Sequence, residues 1–239
     1  MPKATKYKRI MLKLSGEVFS GPQDYGIHKP TLDNVAKQVA AVSKLGTELV
    51  IVVGGGNIWR FRDTKDSGIE RTASDAMGML ATIMNSVALQ SALESLKVET
   101  RVLSAVDVPQ LAEPFIKRRA LRHLEKKRIV ICSGGTGNPY FTTDSAAALR
   151  SLELGCDVLL KATNVDGIYD KDPRKNKDAV MYDELTYAKA LEGHLAVMDQ
   201  AAFSLCEDQE LPIIVFNFFK EGMLLRAAKG EKAGTVVHK

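Results

Sequence analysis

Six short apolar runs constrain the fold of this chain more than any other feature of its sequence. Each run is rich in Val and Ile, and its apolar residues are continuous rather than alternating with polar ones. The runs are KRIMLKL from Lys8, ELVIVVG from Glu48, TRVLSA from Thr100, RIVICSG from Arg128, DVLLKA from Asp157 and PIIVFN from Pro212. Such runs are typical of strands that are buried on both faces of a parallel sheet.

Helical patterns separate these runs. Apolar residues recur at spacings of three and four, as on one face of an α-helix, over residues 31–45, 74–96, 113–127, 144–154 and 199–209. The alternation of strands and helices predicts an α/β fold with crossover helices. Since no linker or repeat interrupts the pattern, we expect a single domain over residues 1–239, with the polar segment 170–187 as a small excursion from the sheet.

The composition excludes several classes of protein. With 45% hydrophobic and 26% charged residues, the chain is not disordered, collagen-like or a disulfide scaffold. A net charge of +4 is compatible with an anionic ligand but too small to imply nucleic acid. The segment 117–128 holds eight Lys, Arg and His residues. It is either a solvated helix face or a contact surface for anionic ligands or nucleic acid.

The cysteines and the N-terminus predict the compartment. Cys132, Cys156 and Cys206 form no CxxC pair and no zinc-type cluster, and Cys132 lies in a predicted buried strand. We interpret them as structural thiols in a reducing compartment. The basic N-terminus lacks the apolar stretch of a signal peptide, and no run approaches the roughly 18 apolar residues of a membrane helix. We therefore expect a cytoplasmic protein that needs neither a membrane nor nucleic acid.

Three glycine turns follow predicted strands, at residues 13–17 (KLSGE), 53–57 (VGGGN) and 133–144 (SGGTGNPYFTTD). Ligands bind at the carboxyl ends of parallel strands, so these turns should face one crevice. Glycine leaves backbone N–H groups accessible to an oxyanion, and a helix N-terminus points its positive end to the same place.

The familiar nucleotide motifs are absent from the sequence. No glycine is followed by lysine, as a P-loop requires, and Trp59 replaces the third glycine of a dinucleotide fingerprint. The remaining candidates are two strand-end lysines, an arginine and three carboxylates: Lys13, Lys161, Arg60, Asp75, Asp144 and Asp199. Phosphoryl transfer requires such cations, with Mg²⁺ on the donor phosphates. The lysines could also be structural, and Asp144 could be a helix N-cap.

Several motifs together resemble one family. They are KLSGE, VVGGGN with Arg60, SDAMGMLAT from Ser74, SGGTGNPYFTTDSAA from Ser133, KATNVDGIYDKDP from Lys161 and VMDQAAF from Val197. In this order, over nearly the whole chain, they resemble the bacterial uridylate (UMP) kinases of the amino-acid kinase superfamily. The first two loops are shared across the superfamily, whereas TGNPYFTTD and DAMGML are more specific to the UMP kinase branch.

The resemblance implies a three-layer αβα sandwich with a mainly parallel sheet, assembled as a homohexamer. It implies transfer of the γ-phosphoryl group of ATP·Mg²⁺ to UMP in pyrimidine nucleotide biosynthesis. The implied catalytic residues are Lys13, Lys161, Arg60, Asp144 and Asp199. Those implied for ATP are Lys13, Leu14, Ser15, Gly16, Gly56, Arg60, Thr163, Asn164, Tyr169 and Asp172. Those implied for UMP are Gly55, Asp75, Thr136, Gly137, Asn138, Pro139, Tyr140, Phe141, Thr142 and Thr143, with Asp75 on the ribose hydroxyls. No residue is implied as a metal ligand, because Mg²⁺ is held mainly through ATP phosphates and water.

The chain departs from the family at three places. One is the segment 61–72 (FRDTKDSGIERT), which is more charged than the glycine-rich version in relatives. Ser74 and Ala76 flank Asp75 where relatives often carry glycine and histidine. Related kinases are activated by GTP and inhibited by UTP, and the activator region corresponds to Gly21, Pro22, Gln23, Asp24, Tyr25 and Gly26, whose interior differs from GTEGFG.

Two alternative functions remain open at this point. One is another kinase of the superfamily, acting on carbamate or an acylated amino acid such as N-acetylglutamate. The other is a non-catalytic nucleotide-binding regulator, which should lack Lys13, Lys161 or Asp144.

Overall fold

A nine-stranded sheet forms the centre of the protein. The computed structural model describes residues 5–60, 68–193, 195 and 198–239. The strands are β1 (Arg9–Leu14), β2 (Glu48–Val53), β3 (Thr100–Ser104), β4 (Glu113–Pro114), β5 (Ile129–Ser133), β6 (Val158–Thr163), β7 (Glu184–Thr186), β8 (Ile213–Asn217) and β9 (Thr235–His238). Their order across the sheet is β4-β3-β5-β2-β1-β6-β8-β9-β7.

The sheet is mostly parallel, as predicted, and only the β8–β9 pair is antiparallel within the described residues. The six predicted strands are confirmed as β1, β2, β3, β5, β6 and β8. Strands β4, β7 and β9 were not predicted. They are only two, three and four residues long, and so short a segment carries no recognisable period.

Seven α-helices cover the sheet in the described part of the chain. They are α1 (Lys29–Ser43), α2 (Arg71–Ser95), α3 (Lys117–Glu125), α4 (Thr143–Leu154), α5 (Tyr187–Glu192), α6 (Gln200–Asp208) and α7 (Met223–Lys229). Two short 3-10 turns, Gly16–Phe19 and Gly21–Gln23, follow β1. The five predicted helices correspond to α1–α4 and α6.

The predicted helix over 113–127 is wrong at its start. Glu113 and Pro114 pair with β3 instead, and α3 begins at Lys117 after an extended Ile116. Proline has no N–H to donate and is tolerated on an edge strand such as β4. The apolar spacing alone did not reveal this boundary.

Alternate residues of each strand point to opposite faces of the sheet. Ile10 and Leu12 of β1 pack in a core that includes residues of α1, α2 and α7. Met11, between them, packs in a second core that includes residues of α3, α4, α5 and α6. The fold is therefore the predicted three-layer αβα sandwich.

The cysteines and the polar segment lie where the sequence predicts. Cys132, Cys156 and Cys206 are buried and form no disulfide. Burial raises the pKa of Cys132 to about 12, so its thiol is unreactive at neutral pH. The segment 170–187 leaves the sheet after β6, is closed by an antiparallel bridge between Tyr169 and Met181, and returns as β7.

The basic segment 117–128 carries several ion pairs on its surface. Arg122 pairs with Glu125 at 3.0 Å, and Arg128 pairs with Glu99 at 2.7 Å. Acidic neighbours thus offset part of the positive charge, which favours the solvated-face interpretation.

Helix α2 is the one helix in the described ranges that is long and apolar enough to cross a membrane by length and composition. It packs against α1, β3 and β5, and Leu89 and Leu93 lie in the core. Its opposite side exposes Met77, Leu80 and Met84 by 37%, 49% and 56%. The helix therefore covers the sheet with one side and presents an apolar stripe with the other.

Gly234, just before β9, allows a close passage between two chain segments. Its φ is +80°, and an added Cβ would lie 2.8 Å from the carbonyl oxygen of Asp166 and collide with that of Val215. Gly46 has the same φ of +80° but open space around it. A comparison of the two glycines therefore distinguishes the cost of backbone strain from the cost of steric collision.

We expect Gly234→Ala to lower the free energy of unfolding by about 3 kcal/mol, because strain and collision with backbone add. Gly46→Ala should cost only about 1 kcal/mol, from the positive φ alone. Urea unfolding followed by circular dichroism measures both. If both variants lost the same free energy of unfolding, the backbone beside Val215 would have moved to accommodate the added methyl group without a further cost.

Candidate functional site

Strand register brings the two strand-end lysines side by side. Lys13 of β1 and Lys161 of β6 are direct partners in the parallel ladder. Each lies two residues after a side chain of the second core, so both point to the face that α4 covers. The lysines thus meet at the carboxyl ends of adjacent central strands.

One carboxylate of α4 lies between the two ammonium groups. Lys161 Nζ donates a hydrogen bond to Asp144 Oδ2 at 2.6 Å, and Lys13 Nζ lies 2.9 Å from Asp144 Oδ1. The three side chains are only 12–14% exposed. Two cations therefore share one anion in a largely desolvated place, and an excess positive charge faces the adjoining cleft.

The electrostatics of this triad are strongly coupled. Burial by itself raises the pKa of Asp144, but Lys13 and Lys161 outweigh it, and the pKa lies below its ordinary value. Burial lowers the pKa of Lys161, and the attraction of Asp144 offsets that effect only in part. Asp144 is therefore ionised at neutral pH.

Asp144 is not the N-cap of α4. Thr142 holds that position, and its hydroxyl accepts hydrogen bonds from the backbone N–H groups of Asp144 and Ser145 at 3.0 and 3.3 Å. The carboxylate of Asp144 is thereby left to the lysines, and the N-cap interpretation is wrong. Asp199 caps α6 instead, accepting from the Ala202 N–H at 3.0 Å.

Asp199 also ties α6 to the beginning of α4. It accepts hydrogen bonds from the hydroxyls of Thr142 and Ser145. Its hydrogen bonds within the described residues are all to these groups and to its own helix. The predicted catalytic residue therefore positions the first turn of α4 rather than bonding the lysines.

The three predicted glycine turns converge beside the triad. Gly54 donates its N–H to the Leu14 carbonyl at 2.9 Å. A Cβ on Gly16 would collide with the Asn57 side chain and lie 2.7 Å from the Gly56 nitrogen. Glycine is therefore required where the first turn passes the second.

Two clefts open at this edge of the sheet. The first, about 550 Å³, is lined by Lys13, Ser15, Glu17, Val18, Ser20, Gly21, Asp24, Arg60, Lys161, Ala162, Thr163, Asn164 and Phe219. The second, about 510 Å³, includes Gly55, Gly56, Asp75, Thr136, Asn138, Phe141, Thr142 and Thr143 in its lining. The first cleft thus gathers residues that the resemblance assigns to ATP and the second gathers residues that it assigns to UMP, except that Gly56, assigned to ATP, lines only the second.

Glu17 and Arg60 line both clefts and mark their boundary. Arg60 pairs with Glu17 at 2.7 Å, and its Nε donates to the Gly56 carbonyl. A guanidinium held at this boundary is accessible from either cleft. Glu17 was not singled out from the sequence, although it belongs to the quoted KLSGE turn.

Some of the predicted residues lie away from the linings of both clefts. Tyr169 pairs with Met181, and Asp172 accepts a hydrogen bond from the Arg174 N–H at 3.0 Å. Leu14 is buried in β1. Gly16, Gly137, Pro139 and Tyr140 are also outside both linings.

Of the proposed effector loop 21–26, two residues, Gly21 and Asp24, line the first cleft. Gly26 exchanges hydrogen bonds with Asn57, whose side chain bonds Asn85 of α2. Asn57 and Asn85 are 1% and 0% exposed. This buried amide pair was not predicted, because a single Asn carries no sequence signal of its partner.

The triad makes folding stability depend on pH. The pKa of Asp144 is lower in the folded protein than the ordinary value of about 3.9 that it takes in the unfolded chain. Its stabilising effect is therefore present above that value and is lost as the pH falls through the folded-state pKa.

We expect Asp144→Asn to lower the free energy of unfolding by about 2–4 kcal/mol at pH 7, because two buried ammonium groups lose their anion. The difference in the free energy of unfolding between this variant and wild type should narrow as the pH falls below about 4. The matched control is Asp33→Asn, which breaks an exposed pair with Lys29. Urea titrations at several pH values test this, and a difference that does not change with pH would contradict it.

Comparisons with known proteins agree with this architecture. The sequence profile described as "Amino acid kinase family" matches residues 8–217. A uridylate kinase of Cereibacter sphaeroides is 53% identical over 234 residues, which cover 98% of this chain and 95% of that protein.

Solved structures give the same result. A UMP kinase from Bacillus anthracis superposes with a TM-score of 0.94 at 39% identity, covering 97% of this chain and 96% of its own. A UMP kinase from Ureaplasma parvum gives 0.93 at 37% identity, covering 98% and 100%. Since the profile spans most of the chain and these relatives match it almost from end to end, the chain belongs to the amino acid kinase family, in the group of the uridylate kinases.

Proposed function

We propose that the protein is a UMP kinase that transfers the γ-phosphoryl group of ATP to UMP, giving ADP and UDP, in pyrimidine nucleotide biosynthesis. The observation that carries the proposal is the Lys13–Asp144–Lys161 triad at the edge of two nucleotide-sized clefts. The relatives, which are named uridylate or UMP kinases, support the identity of the acceptor.

The cleft that contains Ser15, Thr163 and Asn164 is proposed for ATP, and the cleft that contains Asp75 and Thr136 for UMP. In this arrangement Lys13 and Lys161 stabilise the negative charge on the transferring phosphoryl oxygens. Asp144 does not touch the substrate, but it holds the two ammonium groups in place. Arg60 contacts phosphate oxygens at the boundary of the clefts, exchanging its contact with Glu17 for a phosphate.

Positioning supplies much of the catalysis that such a site offers. Phosphoryl transfer requires donor and acceptor oxygens in line and little covalent chemistry from the protein. Backbone N–H groups of the glycine turns and the N-terminus of α4 add fixed dipoles toward the phosphates.

The acidic residues fit a magnesium ion that is held mainly by ATP. No group of three His, Cys, Asp or Glu side chains suits a metal among the residues described. Asp144 is occupied by lysines, and the carboxylates lining the first cleft are Glu17 and Asp24. Mg²⁺ commonly binds through substrate phosphates, waters and one or two carboxylates, so these two are the residues that would hold its waters. When bound, it neutralises charge on the donor phosphates.

We further propose a single-domain cytoplasmic enzyme that assembles as a homohexamer, with GTP as activator and UTP as inhibitor. The sheet that runs through the described chain supports one domain, and the three free thiols support a reducing compartment. The exposed apolar stripe of α2 supports self-association. UMP saturation curves that are identical with and without GTP or UTP would contradict the effector proposal.

A coupled ADP-release assay tests the activity against its alternatives. We expect turnover with UMP and ATP·Mg²⁺ far above that with CMP, dUMP, carbamate or N-acetylglutamate. Preferred turnover with carbamate or N-acetylglutamate would identify another kinase of the superfamily. No turnover with any acceptor, by folded protein, would favour a non-catalytic regulator.

We expect Lys13→Ala and Lys161→Ala each to lower kcat by about a thousandfold or more, because cationic stabilisation of a phosphoryl transition state is typically worth about 10³–10⁵. Arginine at either position should not rescue fully, since its planar fork cannot occupy the place of a compact ammonium. Lys171→Ala, which breaks an ion pair in the polar segment, is the matched control. Steady-state kinetics measures kcat for each variant, and circular dichroism confirms that each variant is folded. A lysine whose alanine variant keeps more than about a tenth of kcat is structural.

We expect Met84→Glu to weaken the assembly, because the substitution places a charge in the exposed apolar stripe of α2. The control is Val180→Glu, which charges an exposed apolar residue of the polar segment. Light scattering coupled to size-exclusion chromatography gives the mass of each variant. If both variants keep the wild-type mass, the stripe is not an assembly surface.

A further inference from the structure

The carboxylate of Asp75 joins α2 to the glycine loop after β5 through one of its oxygens. Oδ2 accepts a hydrogen bond from Arg71 Nε at 2.8 Å and another from the Tyr140 backbone N–H at 2.8 Å. Arg71 precedes Asp75 by four residues on the first turns of α2. Both donors thus converge on the same oxygen from different segments.

Arg71 also contacts the loop directly. Its guanidinium carbon lies 5.7 Å from the centroid of the Tyr140 ring, within the range of a cation–π interaction. Tyr140 has a φ of +70°, which is unfavourable for a bulky residue and must be held by surrounding contacts. Arg71 therefore contacts the side chain of Tyr140 directly, and it is linked to the Tyr140 backbone through Asp75.

The second oxygen of Asp75 remains available to the cleft. Within the described ranges, every hydrogen bond to the Asp75 carboxylate falls on Oδ2. Arg71 and Asp75 both line the second cleft, and the Asp75 side chain is 15% exposed. Because two donors hold Oδ2, rotation of the carboxylate is restricted, and Oδ1 keeps a constant direction.

Helix stability does not account for arginine at this position. A cation in the first turn of a helix is disfavoured by the helix dipole, and Arg71 is the first residue of α2. Its side chain is 41% exposed, so it does not fill the core either. The contacts of Arg71 with Asp75 and Tyr140 explain the residue better.

We propose that Arg71 is a positioning residue that sets selectivity for a ribonucleotide acceptor, by orienting Asp75 toward the ribose hydroxyls and holding the Tyr140 loop beside it. This inference rests on the proposed UMP kinase activity. Arg71 acts mainly through Asp75, so most of its contribution should disappear when Asp75 can no longer bind the ribose as a carboxylate.

The test is a double-mutant cycle of Arg71→Gln and Asp75→Asn, with initial rates for UMP, dUMP and ATP. Arg71→Gln should raise KM for UMP about tenfold, the effect of roughly one charge-assisted hydrogen bond. KM for ATP and kcat at saturating UMP should change by less than about threefold, and the preference for UMP over dUMP should shrink. In the Asp75→Asn background, Arg71→Gln should add less than about twofold.

Two further variants keep the outcome interpretable. Arg71→Lys retains the charge and should recover part of the loss. Arg122→Gln removes an arginine that pairs with Glu125 within α3, outside both clefts, and should leave all constants unchanged. Circular dichroism confirms that each variant is folded.

Additive effects of Arg71→Gln and Asp75→Asn would overturn the inference, because Arg71 would then act independently of Asp75. An unchanged KM for UMP, or an unchanged preference over dUMP, would also overturn it. The activity of the wild-type protein distinguishes a failure of the proposed function from a failure of the inference about Arg71. A wild type that does not phosphorylate UMP contradicts the proposed function itself and this inference with it.

Discussion

Two ammonium groups that share one buried carboxylate are the constraint on which the rest of the site depends. Lys13 and Lys161 lie side by side on adjacent strands, and Asp144 contacts both ammonium groups in a place that is largely desolvated. Because Asp144 lies on the first turn of α4, the helix must begin at one fixed point above the sheet. Thr142 and Asp199 secure that point, the first as the cap and the second by binding the cap residue from α6.

This constraint explains why the two clefts meet where they do. The lysines lie at the carboxyl ends of central strands, and the glycine turns follow β1, β2 and β5, which are neighbours in the sheet. The turns are packed so tightly that Gly16 has no room for a side chain. Arg60 then lies at the boundary, paired with Glu17. The positive charge of the two lysines thus faces the first cleft, beside the boundary that Arg60 and Glu17 form with the second.

Much of the fold was predictable from the sequence because strands that are buried on both faces require continuous apolar runs. The strands that were missed, such as Glu113–Pro114, are too short to show a period. Apart from Asp75 on α2, the predicted site residues that line the clefts lie at the ends of such strands or in the turns that come after them. The register that pairs Lys13 with Lys161 was not predictable, because neither run shows which residue of another strand it will face.

The N-cap of α4 was also not predictable from the local sequence. Thr142, Thr143 and Asp144 are all residue types that can cap the N-terminus of a helix, and the sequence does not show which of them does so. The structure gives the cap to Thr142, and this frees Asp144 for the lysines. The choice depends on Asp199, which is 57 residues away in the chain and accepts a hydrogen bond from the Thr142 hydroxyl.

Helix α2 connects the parts of the molecule that local contacts would otherwise leave separate. Its first turns carry Asp75, which holds the loop at Tyr140, and its middle carries Asn85, which bonds Asn57 in the second glycine turn. Its outer side is the apolar stripe around Met84. Asn85 follows Met84 directly, so a partner packed on the stripe would restrict the same turn of helix that supports the glycine turn. The same helix carries Asp75 into the lining of the second cleft, so the stripe, the second glycine turn and that cleft share one structural element.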